Sequence, residues 1–509
     1  MAGIDRRSFI KTASAGSALA ITGIGNAIAE SSKRPNILFI MSDDHAANAI
    51  SCYGSRLAEV APTKNIDRLA SEGMRLDNCF CTNSICVPSR ASILTGTYSH
   101  VNKVYTLADS LDPERDNVAK NLQKSGYSTA MIGKWHLQSE PSGFDYWNIL
   151  PGQGRYHKPI MKEIGGAERT YDGHSTDVVT DLSLNWMTER DREKPFFLMC
   201  HFKAPHEAWD YARRYRDYLK DEHIPEPVSL WEDKSHRSEG SREYGFSMET
   251  MAERQTKEQY HSDPPQDWSG MSDEAVKKEA YQVFMKRYLR TIKGVDDNVG
   301  RILDYLDENG LSENTVVIYT SDQGYFLGEH NYMDKRWMFE ESLKMPFIVR
   351  YPKEIEAGSV NDDISLNVDF APTFLDYAGS SAPSSLQGQS MRRNFKRETP
   401  ADWRESMYYR YWMHTNRPGH YGIRTKRYKL IYFYGLPLGM KGASDERTKV
   451  GWELYDLEKD PKEMKNVFKD PAYSAVINEL KRELLEQKKA LGDNDEKYPE
   501  LMELNRKYW

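Results

Sequence analysis

Asn36-Ile37-Leu38-Phe39-Ile40-Met41 runs without a break into Ser42-Asp43-Asp44-His45. An unbroken apolar run of this length, without alternation, reads as a strand covered on both faces, as strands of a parallel sheet are. Its carboxyl end carries two adjacent acids. Thr315-Val316-Val317-Ile318-Tyr319-Thr320 repeats the pattern and ends at Ser321-Asp322-Gln323-Gly324. Shorter runs lie at 128–132 before Gly133-Lys134, at 196–200 before His201, and at 346–350, ending in Arg350.

Helical spacing separates these runs. It covers 65–72 before Gly73 and 118–124 before Gly126. It is longest through Phe284, Tyr288, Ile292, Val295, Val299, Ile302 and Leu306, and Asn309-Gly310 stops it. Strands alternating with helices give an α/β fold, a large mainly parallel sheet sandwiched by helices. Such sheets place their sites at the carboxyl ends of strands. All five runs end there in charged or imidazole residues.

Outward from this core the texture changes. Residues 207–275 are polar and rich in Trp, Pro, Glu and His, and read as a long insertion over the site. From about residue 396 to 509, aromatic and alternating stretches such as Tyr408-Tyr409-Arg410-Tyr411-Trp412 predict a smaller C-terminal α+β domain with an antiparallel sheet. An amphipathic helix follows at about 473–491. Residues 30–395 form the catalytic α/β domain in this reading. Residues 1–29 stand apart. Asp5-Arg6-Arg7-Ser8-Phe9-Ile10-Lys11, a mildly apolar stretch, then Ala27-Ile28-Ala29 predict a twin-arginine export signal. Export implies the translocation machinery as a partner and the periplasm or the cell exterior as the destination, without stable membrane insertion. Removing the leader takes away Arg6, Arg7 and Lys11 against Asp5, so a net charge of −7 becomes about −9.

An acidic chain does not suit a general nucleic-acid binder. Mean hydropathy of −0.73 excludes a polytopic membrane protein. Five cysteines in 509 residues are too few for a disulfide scaffold, and being odd in number they leave one without an intramolecular partner. Cys52, Cys79, Cys81 and Cys200 carry no motif, and one disulfide among them is compatible with the periplasm.

Asp43 and Asp44 are adjacent, and Asp322 ends another strand. Neighbouring carboxylates repel unless a proton or cation lies between them. Either they cap helices, or with the amide of Gln323 they hold a hard cation such as Ca²⁺. Cys86 stands in Ser84-Ile85-Cys86-Val87-Pro88-Ser89-Arg90, with Leu94-Thr95-Gly96 after it. Either it is a buried structural thiol, or the helix start and Arg90 lower its pKa.

Taken together the motifs resemble the formylglycine-dependent (type I) sulfatases of the alkaline phosphatase superfamily. Cys-X-Pro-Ser-Arg with its Leu-Thr-Gly tail is highly specific. Ser42-Asp43-Asp44-His45, Gly133-Lys134-Trp135-His136, Lys203-Ala204-Pro205-His206, Ser321-Asp322-Gln323-Gly324 and Asp334-Lys335-Arg336 follow in the family's order. Val368-Asp369-Phe370-Ala371-Pro372-Thr373 and Leu454-Tyr455-Asp456-Leu457 extend the match, which spans about 34–467. The resemblance implies that a maturation enzyme oxidises Cys86 to Cα-formylglycine (3-oxoalanine), whose hydrated aldehyde is the nucleophile. Asp43, Asp44, Asp322 and Gln323, with modified Cys86, would hold one Ca²⁺. Lys134 would neutralise sulfate oxygens, Arg90 orient the nucleophile, and His136 help release sulfate. His206 and Lys335 would bind sulfate and protonate the leaving alcohol. A sulfate monoester builds charge on its bridging oxygen as it cleaves, so cations and a nearby acid are what such a site needs. Gln323 departs from the family, which more often has Asn there.

Specificity is set outside this shared set. His414, Arg417 and His420 are candidate substrate-binding residues, and Trp209, Trp231 and Trp268 are candidate sugar platforms. Tyr421-Gly422-Ile423-Arg424 and Asp334-Lys335-Arg336-Trp337 resemble bacterial carbohydrate sulfatases of the N-acetylglucosamine-6-sulfatase type. A sulfated glycan is therefore the expected substrate. The alternatives are a phosphomonoester or phosphodiester hydrolase of the same superfamily and a catalytically dead sulfated-glycan-binding protein.

Overall fold

The computed structural model describes residues 34–257 and 263–509. The export signal expected at 1–29 lies outside them. Ten strands form one mixed sheet: β1 (Asn36–Asp43), β2 (Met74–Leu76), β3 (Ser128–Lys134), β4 (Tyr146–Leu150), β5 (Ile160–Glu163), β6 (Glu168–Thr170), β7 (Phe196–Pro205), β8 (Thr315–Ser321), β9 (Phe347–Arg350) and β10 (Ser359–Asn361). Their order is β10-β2-β9-β8-β1-β7-β3-β4-β5-β6. The five central strands from β8 to β4 are mutually parallel. β9 runs antiparallel to β8, and β5 and β6 return antiparallel at the opposite edge.

The unbroken apolar runs are explained by two layers of cover. Ile37, Phe39 and Met41 of β1 enter one core, and Leu38 and Ile40 enter another on the opposite face. Successive strand side chains point to opposite faces, so a strand wrapped on both sides must be apolar at every position. The helix Asp273–Glu308 packs Val295, Val299, Ile302 and Leu306 on the second face. Its Ser272 caps the amino end by accepting from Ala275 N.

Residues 207–275, expected as an insertion over the site, contribute to the core. Trp209, Leu219, Ile224, Leu230, Met248 and Met251 form a third apolar cluster with Phe284, Met285, Tyr288 and Ile292 of that helix. Trp209 is 1% exposed in this cluster. Trp231 is exposed but lies 4.5 Å beneath Lys277 Nζ, and Trp268 donates its Nε1 hydrogen to Ala252 O.

A separate antiparallel sheet carries β11 (Ser406–Tyr411), β12 (His420–Thr425), β13 (Tyr428–Phe433) and β14 (Gly451–Asp456), backed by the helix Ser474–Leu491. It shares one apolar cluster with the large sheet, so Tyr409, Ile423 and Leu430 pack in the same core as Phe80 and Leu343. All five cysteines are free thiols.

Candidate active site

The site forms where β1, β7, β3 and β8 end side by side. Asp43 closes β1, and Asp44 turns the chain sharply at φ 66°, a conformation that Asp tolerates better than most residues. Asp44 N donates to Asp322 Oδ1 at 3.2 Å, tying the two strand ends together. Gly133 (φ 104°) and Gly324 let backbones meet at these ends. A Cβ on Gly133 would lie 2.0 Å from His201 O, and one on Gly324 2.2 Å from Glu341 O.

Cys86 is the first residue of the helix Cys86–Thr95, which is buried along its whole length. Its Sγ lies 3.5 Å from Asp43 Oδ1 and 3.9 Å from Gln323 Nε2. Burial pushes the thiol up to about 12; Asp322 and Asp44 add to this, and Lys335 and Arg90 only partly oppose it. Of the two readings of the sequence, this environment favours the buried thiol over a lowered pKa, because desolvation and two carboxylates outweigh the helix start and Arg90. Unmodified, Cys86 is a poor nucleophile.

Asp43, Asp44 and Asp322 are at most 1% exposed, and one carboxylate oxygen from each lies within 4.8 Å of the others. Burial raises the Asp44 carboxyl to about 6 even with Lys335 beside it. Gln323 Nε2 donates to Asp44 Oδ1 and Asp322 Oδ1 at 2.6 Å each, whereas its buried Oε1 has no hydrogen-bond partner. Turning this amide end for end would join its oxygen to the carboxylate oxygens. That donor set, all hard oxygens with excess negative charge, fits a Ca²⁺-type cation.

Cations surround the carboxylates. Arg90 donates through Nε to Asp322 Oδ2 at 2.9 Å and through Nη1 to Lys134 O at 2.7 Å. Lys134 is fully buried, pairs with Asp43, and donates to Gln153 Oε1 at 2.6 Å. Burial, with Lys203 and Lys335 nearby, holds its amine well below the usual lysine range. Lys335 Nζ donates to Asp44 Oδ2 at 2.6 Å; burial opposes its charge, but Asp44, Cys86, Asp334 and Tyr325 together outweigh burial and raise its pKa.

Two imidazoles complete the cluster. His136 sits at φ 55° with a buried Nδ1 that has no hydrogen-bond partner. Burial, then Lys134 and Arg90, lower its pKa to about 2, so the ring is neutral. His206 donates from Nδ1 to Glu207 O at 2.7 Å, which leaves Nε2 3.7 Å from Asp44 Oδ2. Burial and the three neighbouring lysines hold this ring neutral as well. With Nδ1 carrying the hydrogen, the inward Nε2 is a bare acceptor.

All ten positions expected at the shared site therefore meet at one place. The three outer candidates do not behave alike. His414 accepts from Arg336 Nη1 at 2.8 Å, and Arg336 in turn donates to Asp334 Oδ2 at 2.8 Å, one residue either side of Lys335. Arg417 lies over the Phe246 ring at 5.6 Å. His420 is a correction: it is fully buried, stacked on Trp337 and Tyr411, and belongs to the core rather than to a substrate surface.

Sequence reasoning missed Lys203, Gln153 and Tyr156. Lys203 Nζ donates to Glu207 O at 3.1 Å and lies 4.8 Å from the Tyr156 ring centroid. Burial lowers its amine to about 8. The Tyr156 hydroxyl donates to His206 O. A signal for Lys203 existed, a lysine inside an apolar strand three residues before His206. Gln153 and Tyr156 lie in an irregular segment without one. Gln153 and Lys203 also line a cavity of about 1110 Å³ that leads outward from the site.

The arrangement matches known families. The model described as "Sulfatase" matches residues 35–380, and "N-sulphoglucosamine sulphohydrolase, C-terminal" matches 328–490. An N-acetylglucosamine-6-O-sulfatase of Bacteroides thetaiotaomicron is 42% identical over 94% of this chain and 90% of its own length. An arylsulfatase of Clostridium perfringens is 27% identical over 89% of this chain and 94% of its own. A solved structure in complex with its substrate D-glucosamine-2-N,6-O-disulfate superposes with a TM-score of 0.83. It is 42% identical and covers 92% of this chain and all of the other.

Proposed function

Because the chain belongs to the sulfatase family, we propose that it hydrolyses the sulfate ester of a sulfated carbohydrate, with a 6-O-sulfated glucosamine as the first candidate. The observation that carries this reading is the convergence of Cys86 with three buried carboxylates, Lys134, Lys335 and two neutral histidines. The substrate class rests on the 42% identity to a glucosamine sulfatase over nearly the whole chain.

Oxidised to formylglycine by a maturation enzyme, Cys86 would supply an aldehyde hydrate as the nucleophile, and Ca²⁺ on Asp43, Asp44, Asp322 and Gln323 would neutralise sulfate oxygens. The remaining work falls to the chain's own side chains. Arg90 is anchored on Asp322 and on Lys134 O, so it can orient a hydroxyl at position 86 without moving. Lys335 brings positive charge to a water-poor site, where it acts on developing negative charge more strongly than in bulk water, and Lys134 adds N–H donors there. His136 Nδ1 is available to take a proton from position 86. Lys335 flanks Asp44 and carries the proton that the leaving oxygen needs, whereas the inward Nε2 of His206 carries none and can only accept a hydrogen bond there. The twin-arginine stretch supports delivery to the periplasm or cell exterior, with the maturation step preceding export.

The test is release of inorganic sulfate from N-acetylglucosamine 6-sulfate and glucosamine-2-N,6-O-disulfate, beside phosphate release from N-acetylglucosamine 6-phosphate. Sulfate release should dominate in kcat/KM. Cys86→Ala should lose on the order of 10³-fold or more. The peptide holding residue 86 of the active enzyme should weigh about 18 Da less than its cysteine form. Faster turnover of the phosphate, or full activity with an unmodified cysteine, would overturn the reading.

A further inference from the structure

The large cavity reaches from Lys203 and Gln153, beside Lys134, out to Arg155, Lys158 and Arg213. Its acidic groups are already engaged. Asp177 takes a two-pronged contact from Arg214 at 2.7 Å on each oxygen, Glu207 pairs with Arg254, and Asp210 Oδ1 lies 3.5 Å from His157 Nε2. Arg155, Lys158 and Arg213 are exposed and make no ion pair among the described residues. One wall is rigid, with Tyr156 stacked on His174 at 5.3 Å and 21°. A neutral ligand would gain nothing from three uncompensated cations around a cleft, whereas an anionic one would.

We propose that this cleft is a second anion subsite, which takes a carboxylate or sulfate on the sugar next to the one being desulfated, through Arg155, Lys158 and Arg213. The inference rests on the sulfatase reading and adds to it that the natural substrate is an acidic glycan rather than a singly charged sugar. Lys203 joins the two regions: it lines the cleft and acts electrostatically on His136 and His206. The cleft lies on the Gln153–Lys203 side of the site, and the Asp334, Arg336 and His414 group is not part of its lining.

The test uses the full chain with Cys86→Ala, which keeps the charged shell but does not turn over. Calorimetry compares two disaccharides in which 6-O-sulfated N-acetylglucosamine is joined either to galactose or to glucuronic acid. The glucuronate form should bind about tenfold tighter at low ionic strength, with the gap shrinking as salt rises. Adding Arg155→Ala, Lys158→Ala and Arg213→Ala should close the gap. In the otherwise unsubstituted enzyme, these three changes should leave kcat/KM on the sulfated monosaccharide within about twofold. Equal affinity for the two disaccharides, no binding of either, or a gap that survives the triple substitution overturns the subsite. If the monosaccharide is not desulfated, the sulfatase reading fails by itself, while the affinity gap still reports on the cleft.

Discussion

At the residue scale the site is a charge problem solved by burial and pairing. Three buried carboxylates repel, and Gln323 now bridges two of them through its amide hydrogens. A divalent cation should relieve that repulsion and stabilise the fold by mass action, by about 4 kcal/mol at a thousandfold excess over its dissociation constant. Adding Ca²⁺ to chelator-treated protein should therefore raise Tm. Gln323→Ala removes one oxygen ligand, and each tenfold loss of affinity subtracts about 1.4 kcal/mol. The Ca²⁺-induced Tm gain, measured by scanning calorimetry, should shrink in Gln323→Ala and recover partly in Gln323→Asn. An undiminished gain in Gln323→Ala would remove this side chain from the ligand set. Asp43, Asp44, Asp322, Cys86 and Arg90 were legible because each sits in a short contiguous pattern whose chemistry is unusual. Lys203 was quoted only as part of a motif, although its place inside an apolar strand three residues before His206 was a sign that it faces the site. His420 misled because a polar residue in an alternating strand can equally face the core.

At the scale of elements, the central strands announced themselves because cover on both faces forces unbroken apolarity. The edge strands β5 and β6 did not, being short and half-exposed or exposed. The run at 346–350 was found, but its direction was not, since apolarity is the same whichever way a strand runs. Part of the join between the antiparallel sheet and the catalytic layer was also hidden, because beside the shared apolar core it uses charges far apart in sequence. Lys429, fully buried on β13, pairs with Glu340 at 2.9 Å and with Glu463 at 2.8 Å, and Arg424 of β12 grips both Glu340 oxygens at 3.0 Å. Removing one member of such a buried network strands the others without compensation. Lys429→Met should lower stability to urea by about 3–5 kcal/mol. Lys429→Met combined with Glu463→Leu should recover part of that loss, because the stranded carboxylate is gone. A Lys429→Met variant as stable as the parent would show that the network does not hold the two sheets together.

At the scale of the whole molecule, net charge says little about the site, but the buried histidines say a good deal about pH. The chain is acidic at −7, yet its proposed substrate is an anion met by Arg90, Lys134, Lys203 and Lys335 in a local field. Burial lowers His45, which follows Asp44, to about 3 and His174, His330 and His420 to about 4. In the unfolded chain each would take up a proton below about 6.5. Between about pH 6.5 and 4 the unfolded state therefore binds more protons than the folded one, and stability falls as pH falls through that window. Each such histidine adds about 1.4 kcal/mol per pH unit to the slope. These four pull in that direction, while Asp44 and Asp296, raised to about 6, and Glu341, raised to about 8, oppose them by holding protons in the folded state. Because the antiparallel sheet and the large sheet share one core, the loss should be a single transition. Acid titration followed by tryptophan fluorescence and far-ultraviolet circular dichroism should give coincident curves. His420→Phe keeps an aromatic ring against Trp337 and Tyr411 but cannot be protonated. Its stability–pH slope, taken from urea titrations at several pH values, should be smaller by about 1.4 kcal/mol per pH unit, whatever its stability at neutral pH. An unchanged slope would mean that His420 is already protonated in the folded protein, and two separate transitions would mean that the sheets do not unfold as one.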